Sequence, residues 1–186
     1  MKKTLCAIGI ILIFLMSGCL NKNEVTEELI NYHNNDWLKL QEIKDTKISS
    51  KVSKYISFAM EDNEEAVANL LTEEILPSHL EIVDYLEGIK LESKEIEKLN
   101  QLQIDAEKFG YKIFKEQAET LKKGERSEID AMFDRFETYD KELQEKYEEV
   151  DEKRDELMEK YNVQWVEEYD ENGDSVMKME RKEEVD

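Results

Sequence analysis

The stretch from Ser127 to Tyr161 constrains the fold more than any other. Ile129, Phe133, Phe136, Asp140, Leu143, Tyr147, Val150, Arg154, Leu157 and Tyr161 recur at alternating spacings of four and three without a slip. That period places them on one stripe of an α-helix. All except Asp140 and Arg154 are apolar or aromatic. Glu142/Lys146, Glu149/Lys153 and Glu156/Lys160 are i,i+4 pairs in the favourable orientation, each worth about 0.3 kcal/mol. Ser127 with Asp130 reads as the capping box that opens the helix. A helix of this extent is about 52 Å long, so its stripe needs a partner along its whole length. The preceding segment supplies one. Ser93 is a good N-cap, and Ile96, Leu99, Leu102, Ala106, Phe109 and Ile113 follow at helical spacing. Lys122 and Lys123 suit a last turn, and Gly124 a stop. The expected fold is all-α, an elongated antiparallel helical bundle built on a long αα-hairpin of about 93–121 and 127–161.

Upstream, a helix is expected from Glu24 with Val25, Leu29, Tyr32, Leu40 and Ile43 inward, interrupted near Asn34-Asn35-Asp36. Ile48, Val52, Tyr55, Ile56 and Ala59 continue the stripe to a break at Asp62-Asn63. A short helix with Val67 and Leu70 is expected to end before Pro77. Ser78 then reads as the N-cap of a helix carrying Ile82, Val83 and Leu86. Downstream, Val163 to Met179 around Asn172-Gly173 reads as a small C-terminal β-hairpin, about 163–179. Residues 24–180 form one domain, and Arg181 to Asp186 a frayed tail.

The N-terminus carries a different kind of signal. Lys2 and Lys3 precede an apolar run, Leu5 to Met16, which ends in Ser17-Gly18-Cys19. A basic start, a short apolar centre and a small-residue exit make a secretory signal peptide, too short to span a bilayer comfortably. Met16-Ser17-Gly18-Cys19 resembles the lipobox of bacterial lipoproteins, with Met16 where leucine is usual. The resemblance implies that residues 1–18 are removed and that Cys19 carries a diacylglycerol thioether, with or without an N-acyl chain. It implies a lipid anchor in the cell membrane, on its extracytoplasmic face. Residues 19–23 then form a short tether. Two acyl chains hold a protein stably, and one does not. Cys6 leaves with the leader, so no thiol remains for a disulfide. The remainder is similar to small helical lipoproteins of Gram-positive bacteria assigned to the cell wall, through its Lys/Glu-rich helical body and Tyr139-Asp140-Lys141.

A formal charge of −20 argues against nucleic acid, because nothing neutralises phosphates, and against lying flat on an anionic bilayer. Neither His33 nor His79 has a His, Cys or carboxylate three or four residues on that makes a metal motif, and His79 reads as a first-turn surface residue. Asp170-Glu171-Asn172-Gly173-Asp174 has the wrong spacing for an EF-hand loop and reads as a turn. No nucleophile elbow, phosphate loop or metal motif occurs. The expected function is non-enzymatic, without a metal or a small-molecule substrate. The partners expected are the lipid bilayer through Cys19, and a protein or cell-wall component. Accessory membership of an envelope enzyme, secretion or transport complex is the alternative. Asp140 and Arg154, polar on the stripe, either set register or partner choice or simply face water. The aromatic stripe of Phe133, Phe136, Tyr147 and Tyr161 is either core or docking groove.

Overall fold

The computed structural model describes residues 21–169 and 173–183. Among the described residues four helices run alternately up and down: α1 over 22–60, α2 over 64–88, α3 over Lys94–Lys123 and α4 over Arg126–Tyr161. A two-stranded antiparallel sheet follows, β1 over Val163–Tyr169 and β2 over Ser175–Arg181, with Val163 opposite Arg181 and Tyr169 opposite Ser175. The fold is the expected all-α elongated bundle with a small C-terminal hairpin.

α3 is the central helix and touches the other three. The core divides into three clusters along the bundle. At one end the start of α1 (Val25, Leu29, Tyr32), the start of α3 (Ile96, Leu99) and the end of α4 (Val150, Leu157, Tyr161) close on Val163 and Met179 of the hairpin. At the other end the start of α2, the end of α3 and the start of α4 close through Val67, Leu71, Ala118, Leu121, Ile129 and Met132. Leu40, Ile82, Leu86 and Ile104 join α1, α2 and α3 between them.

Several helix ends differ from the pattern reading. α1 opens at Lys22, not Glu24, because Asn21 makes a complete capping box. Its Oδ1 accepts from the N–H groups of Asn23 and Glu24 at 3.0 and 3.1 Å, and its own N–H donates to Glu24. Asn34-Asn35-Asp36 does not interrupt α1. It lies in a widened π turn, Tyr32–Trp37, and a second follows at Asp45–Ser49. Each wide turn rotates the inward face, which is why the apolar spacing loosens after Tyr32. The break at Asp62-Asn63 is present: Asp62 has φ 52° and the Asn63 side chain caps α2. Pro77 does not end a helix, since a π turn at Leu71–Ile75 leads into it and it occupies the following turn. Ser78 is therefore no N-cap. It sits inside α2, where its hydroxyl donates to the Glu74 carbonyl at 2.8 Å and accepts from Lys51 at 2.7 Å.

α3 begins and ends as expected, with Ser93 as N-cap and Gly124 in the left-handed region at φ 68°. The capping box at Ser127 does not form. α4 begins at Arg126 after Glu125, with no side-chain cap, and Arg126 instead pairs with Asp130 and Glu64. Arg181 is not frayed. It ends β2 and binds Glu27 and Asn23 of α1, so the end of β2 is tied to the start of α1.

Candidate functional site

The end of the bundle that carries the hairpin holds an open groove of about 1140 Å³. Its floor is built by the first π turn of α1. That turn turns His33 and Asn34 toward the outer edge of β2. The Asn34 side chain donates to the Met179 carbonyl at 2.9 Å and accepts the Met179 N–H at 2.8 Å, standing in for a third strand. His33 Nε2 lies 3.2 Å from the Met177 carbonyl, and its ring packs edge-on to Trp165 at 4.6 Å. Burial drives its pKa down to about 4, the Arg154 charge acting in the same direction and the Met177 contact against it. His33 is thus neutral near pH 7.

Arg154 projects from α4 into this floor. Its guanidinium lies 5.1 Å from the Trp37 ring and 5.6 Å from the Trp165 ring, a doubled cation–π contact. It also binds Asp151. The rim adds Gln41, Glu42 and Asp45 from α1 and Asp174 from the hairpin. An aromatic floor with four carboxylates and one guanidinium around it favours ligand groups that are cationic and partly apolar. The only two tryptophans of the chain line this one groove.

A second polar constellation lies inside the bundle and takes a side chain from every helix. Glu107 of α3 is fully buried. Its Oε1 accepts from Lys44 of α1 at 2.9 Å, from Tyr147 of α4 at 3.1 Å and from Gln103 at 2.6 Å. Its Oε2 faces His79 Nδ1 of α2 at 3.8 Å. Burial lowers the pKa of His79, outweighing the pull of Glu107, while burial and the Glu107 charge raise that of Tyr147. The arrangement joins the four helices through one buried carboxylate. Among the described residues, no three His, Cys, Asp or Glu side chains converge as a metal cage, and no helix is long and apolar enough to cross a membrane.

No family model, curated protein or solved structure matches the chain.

Of the residues singled out in the sequence, Met16, Ser17, Gly18 and Cys19 lie outside the described residues, as do Asp170, Glu171 and Asn172. Asp140 is exposed on α4. Arg154 does not simply face water: it pairs with Asp151 one turn back on α4 and lies against Trp37 and Trp165. His79, expected on the surface, is buried against Phe114 and Glu107, because Ser78 lies inside α2 rather than at its end. The aromatic stripe splits: Tyr161 is core, Tyr147 and Phe136 are partly buried, and Phe133 is 52% exposed. Trp37, Trp165, Lys44 and Glu107 escaped pattern reading. The only local hint was Gln103 and Glu107 four apart on the inner side of α3.

Proposed function

We propose that this chain is a lipid-anchored, non-enzymatic binding module on the extracytoplasmic face of the cell membrane. The observation that carries the reading is Met16-Ser17-Gly18-Cys19 at the end of an apolar leader, with one residue, Leu20, between Cys19 and the capped start of α1. A thioether at Cys19 would hold α1 by a tether of about 7 Å. The hairpin end of the bundle, with its aromatic groove, would then sit next to the membrane, and the α1–α2 turn far from it. A rigid bundle on so short a tether suits presenting a site at a set height rather than searching a volume. The groove is the binding element, and its acidic rim suits cationic groups of a cell-wall component or of an envelope protein.

Labelled palmitate should enter the wild-type chain and not Cys19→Ala; equal labelling would sink the anchor. For the groove, the full chain should sediment with purified Gram-positive cell-wall sacculi, and Trp165→Ala should weaken this several-fold. Unchanged sedimentation would remove the groove from the proposal.

A further inference from the structure

The open groove and the buried carboxylate are built on the same two helices. α1 gives the groove Trp37, Gln41 and Asp45, and between the last two it turns Lys44 inward to Glu107. α4 gives the groove Asp151 and Arg154, and Tyr147, one turn before Asp151, reaches the same Glu107. Over this stretch α1 and α4 meet through long side chains. Nearer the hairpin, the Arg154 guanidinium spans to Trp37. One to two turns further along α1, Lys44 spans to Tyr147: its ammonium lies 3.5 Å from the hydroxyl and 5.1 Å from the centre of the ring. The first strut lies within the groove. The second stands at its far end, and none of its three residues lines the groove.

One oxygen fixes that second strut. Glu107 Oε1 accepts from Lys44, Tyr147 and Gln103 together. Glu107 is fully buried and Lys44 largely so. Their charges cancel, and neither can withdraw without leaving the other uncompensated inside the bundle. Glu107 stands on α3, the central helix, so its carboxylate holds α1 and α4 at a set distance from a common reference. The tether also falls at a telling point on α1. The second π turn begins at Asp45, directly after Lys44, and a wide turn rotates whatever follows it. Lys44 therefore pins α1 just before its path changes.

We propose that Glu107 is a positioning residue for the groove: through Lys44 and Tyr147 it sets the spacing between the α1 wall and the α4 floor, and with it the closeness of Trp37 to Trp165 across Arg154. The proposal rests on the groove being the binding element and adds what sets its width.

The groove reports on itself, because both tryptophans of the chain line it. In the full chain, Tyr147→Phe and the paired variant Lys44→Met with Glu107→Leu should each raise acrylamide quenching of tryptophan emission by half or more. Each should also weaken the near-ultraviolet circular dichroism of the tryptophans. The paired variant separates positioning from stability: apolar side chains replace the buried charges, so most of the urea midpoint is kept while the strut is lost. Leu71→Ala truncates the core at the opposite end of the bundle; it should lower the urea midpoint and leave quenching unchanged. Wild-type quenching in both strut variants overturns the proposal, and so does an equal rise in Leu71→Ala. Sedimentation with sacculi should fall several-fold in the paired variant, and undiminished sedimentation there counts against the proposal. A wild-type chain that does not sediment overturns only the binding reading, and the quenching comparison still decides whether Glu107 sets the width.

Discussion

One buried and one largely buried charge show how single residues are held here. Arg154 and Glu107 both sit on inward helix faces where a charge alone would be costly. Arg154 is stabilised by two indole rings and Asp151. Glu107 is stabilised by three donors from three helices. Removing one partner of a buried pair leaves the other uncompensated. Glu107→Ala should therefore lower stability by about 3 kcal/mol in urea unfolding, whereas Lys44→Met with Glu107→Leu should recover most of it. Equal losses in the two variants would refute the hub. His33 gives a pH prediction. Its folded pKa of about 4 lies below the ordinary 6.5, so the unfolded chain takes up a proton first as pH falls. Its contribution is intact above about pH 6.5 and is lost progressively toward pH 4, by on the order of 2 kcal/mol. His79 shifts the same way, so His33→Gln should reduce, and His33→Gln with His79→Gln largely abolish, the fall in urea midpoint over that range. Only the partners on the same helix, Asp151 for Arg154 and Gln103 for Glu107, lie within local reach. Arg154 stood out as a polar break in an apolar stripe, but the rings that receive it lie more than a hundred residues upstream and eleven downstream.

At the scale of elements, α3 and α4 were readable nearly to the residue. Ser93, Gly124 and an unbroken heptad stripe are local signals whose meaning does not depend on neighbours. The inward face of α4 was only half readable. Met132, absent from the 4–3 series, is 1% exposed, whereas Phe133, within it, is 52% exposed. At that end Ile129 and Met132 share one cluster with α2 and α3, so Met132 rather than Phe133 takes the inward place after Ile129. Met132→Asp should cost several kcal/mol, and Phe133→Asp less than about 0.5 kcal/mol in the same thermal melts. A large loss from Phe133→Asp would return that residue to the core. α1 and α2 were misread for a different reason. π turns insert a residue without a break, and neither Asn34-Asn35-Asp36 nor Pro77 reveals whether the surrounding helices will satisfy the displaced backbone.

On the scale of the whole molecule, charge is the dominant global term. At −20 the bundle repels itself, and its ion pairs, mostly exposed, recover little of that. Added monovalent salt should raise the melting temperature by several degrees, through screening; a fall with salt would show that the ion pairs outweigh the self-repulsion. The amino-acid sequence by itself determined the class of fold, the long α3–α4 hairpin, the turn at Gly124 and the C-terminal β-hairpin, because periodicity, capping and turn chemistry act over a few residues. Only the tertiary structure decided which face of each helix is inside, where His79 and Arg154 go, and that Trp37 and Trp165 meet in one groove. Those outcomes depend on the phase between helices. A single π turn shifts that phase by most of a residue, and no short stretch of chain records what lies across the bundle from it.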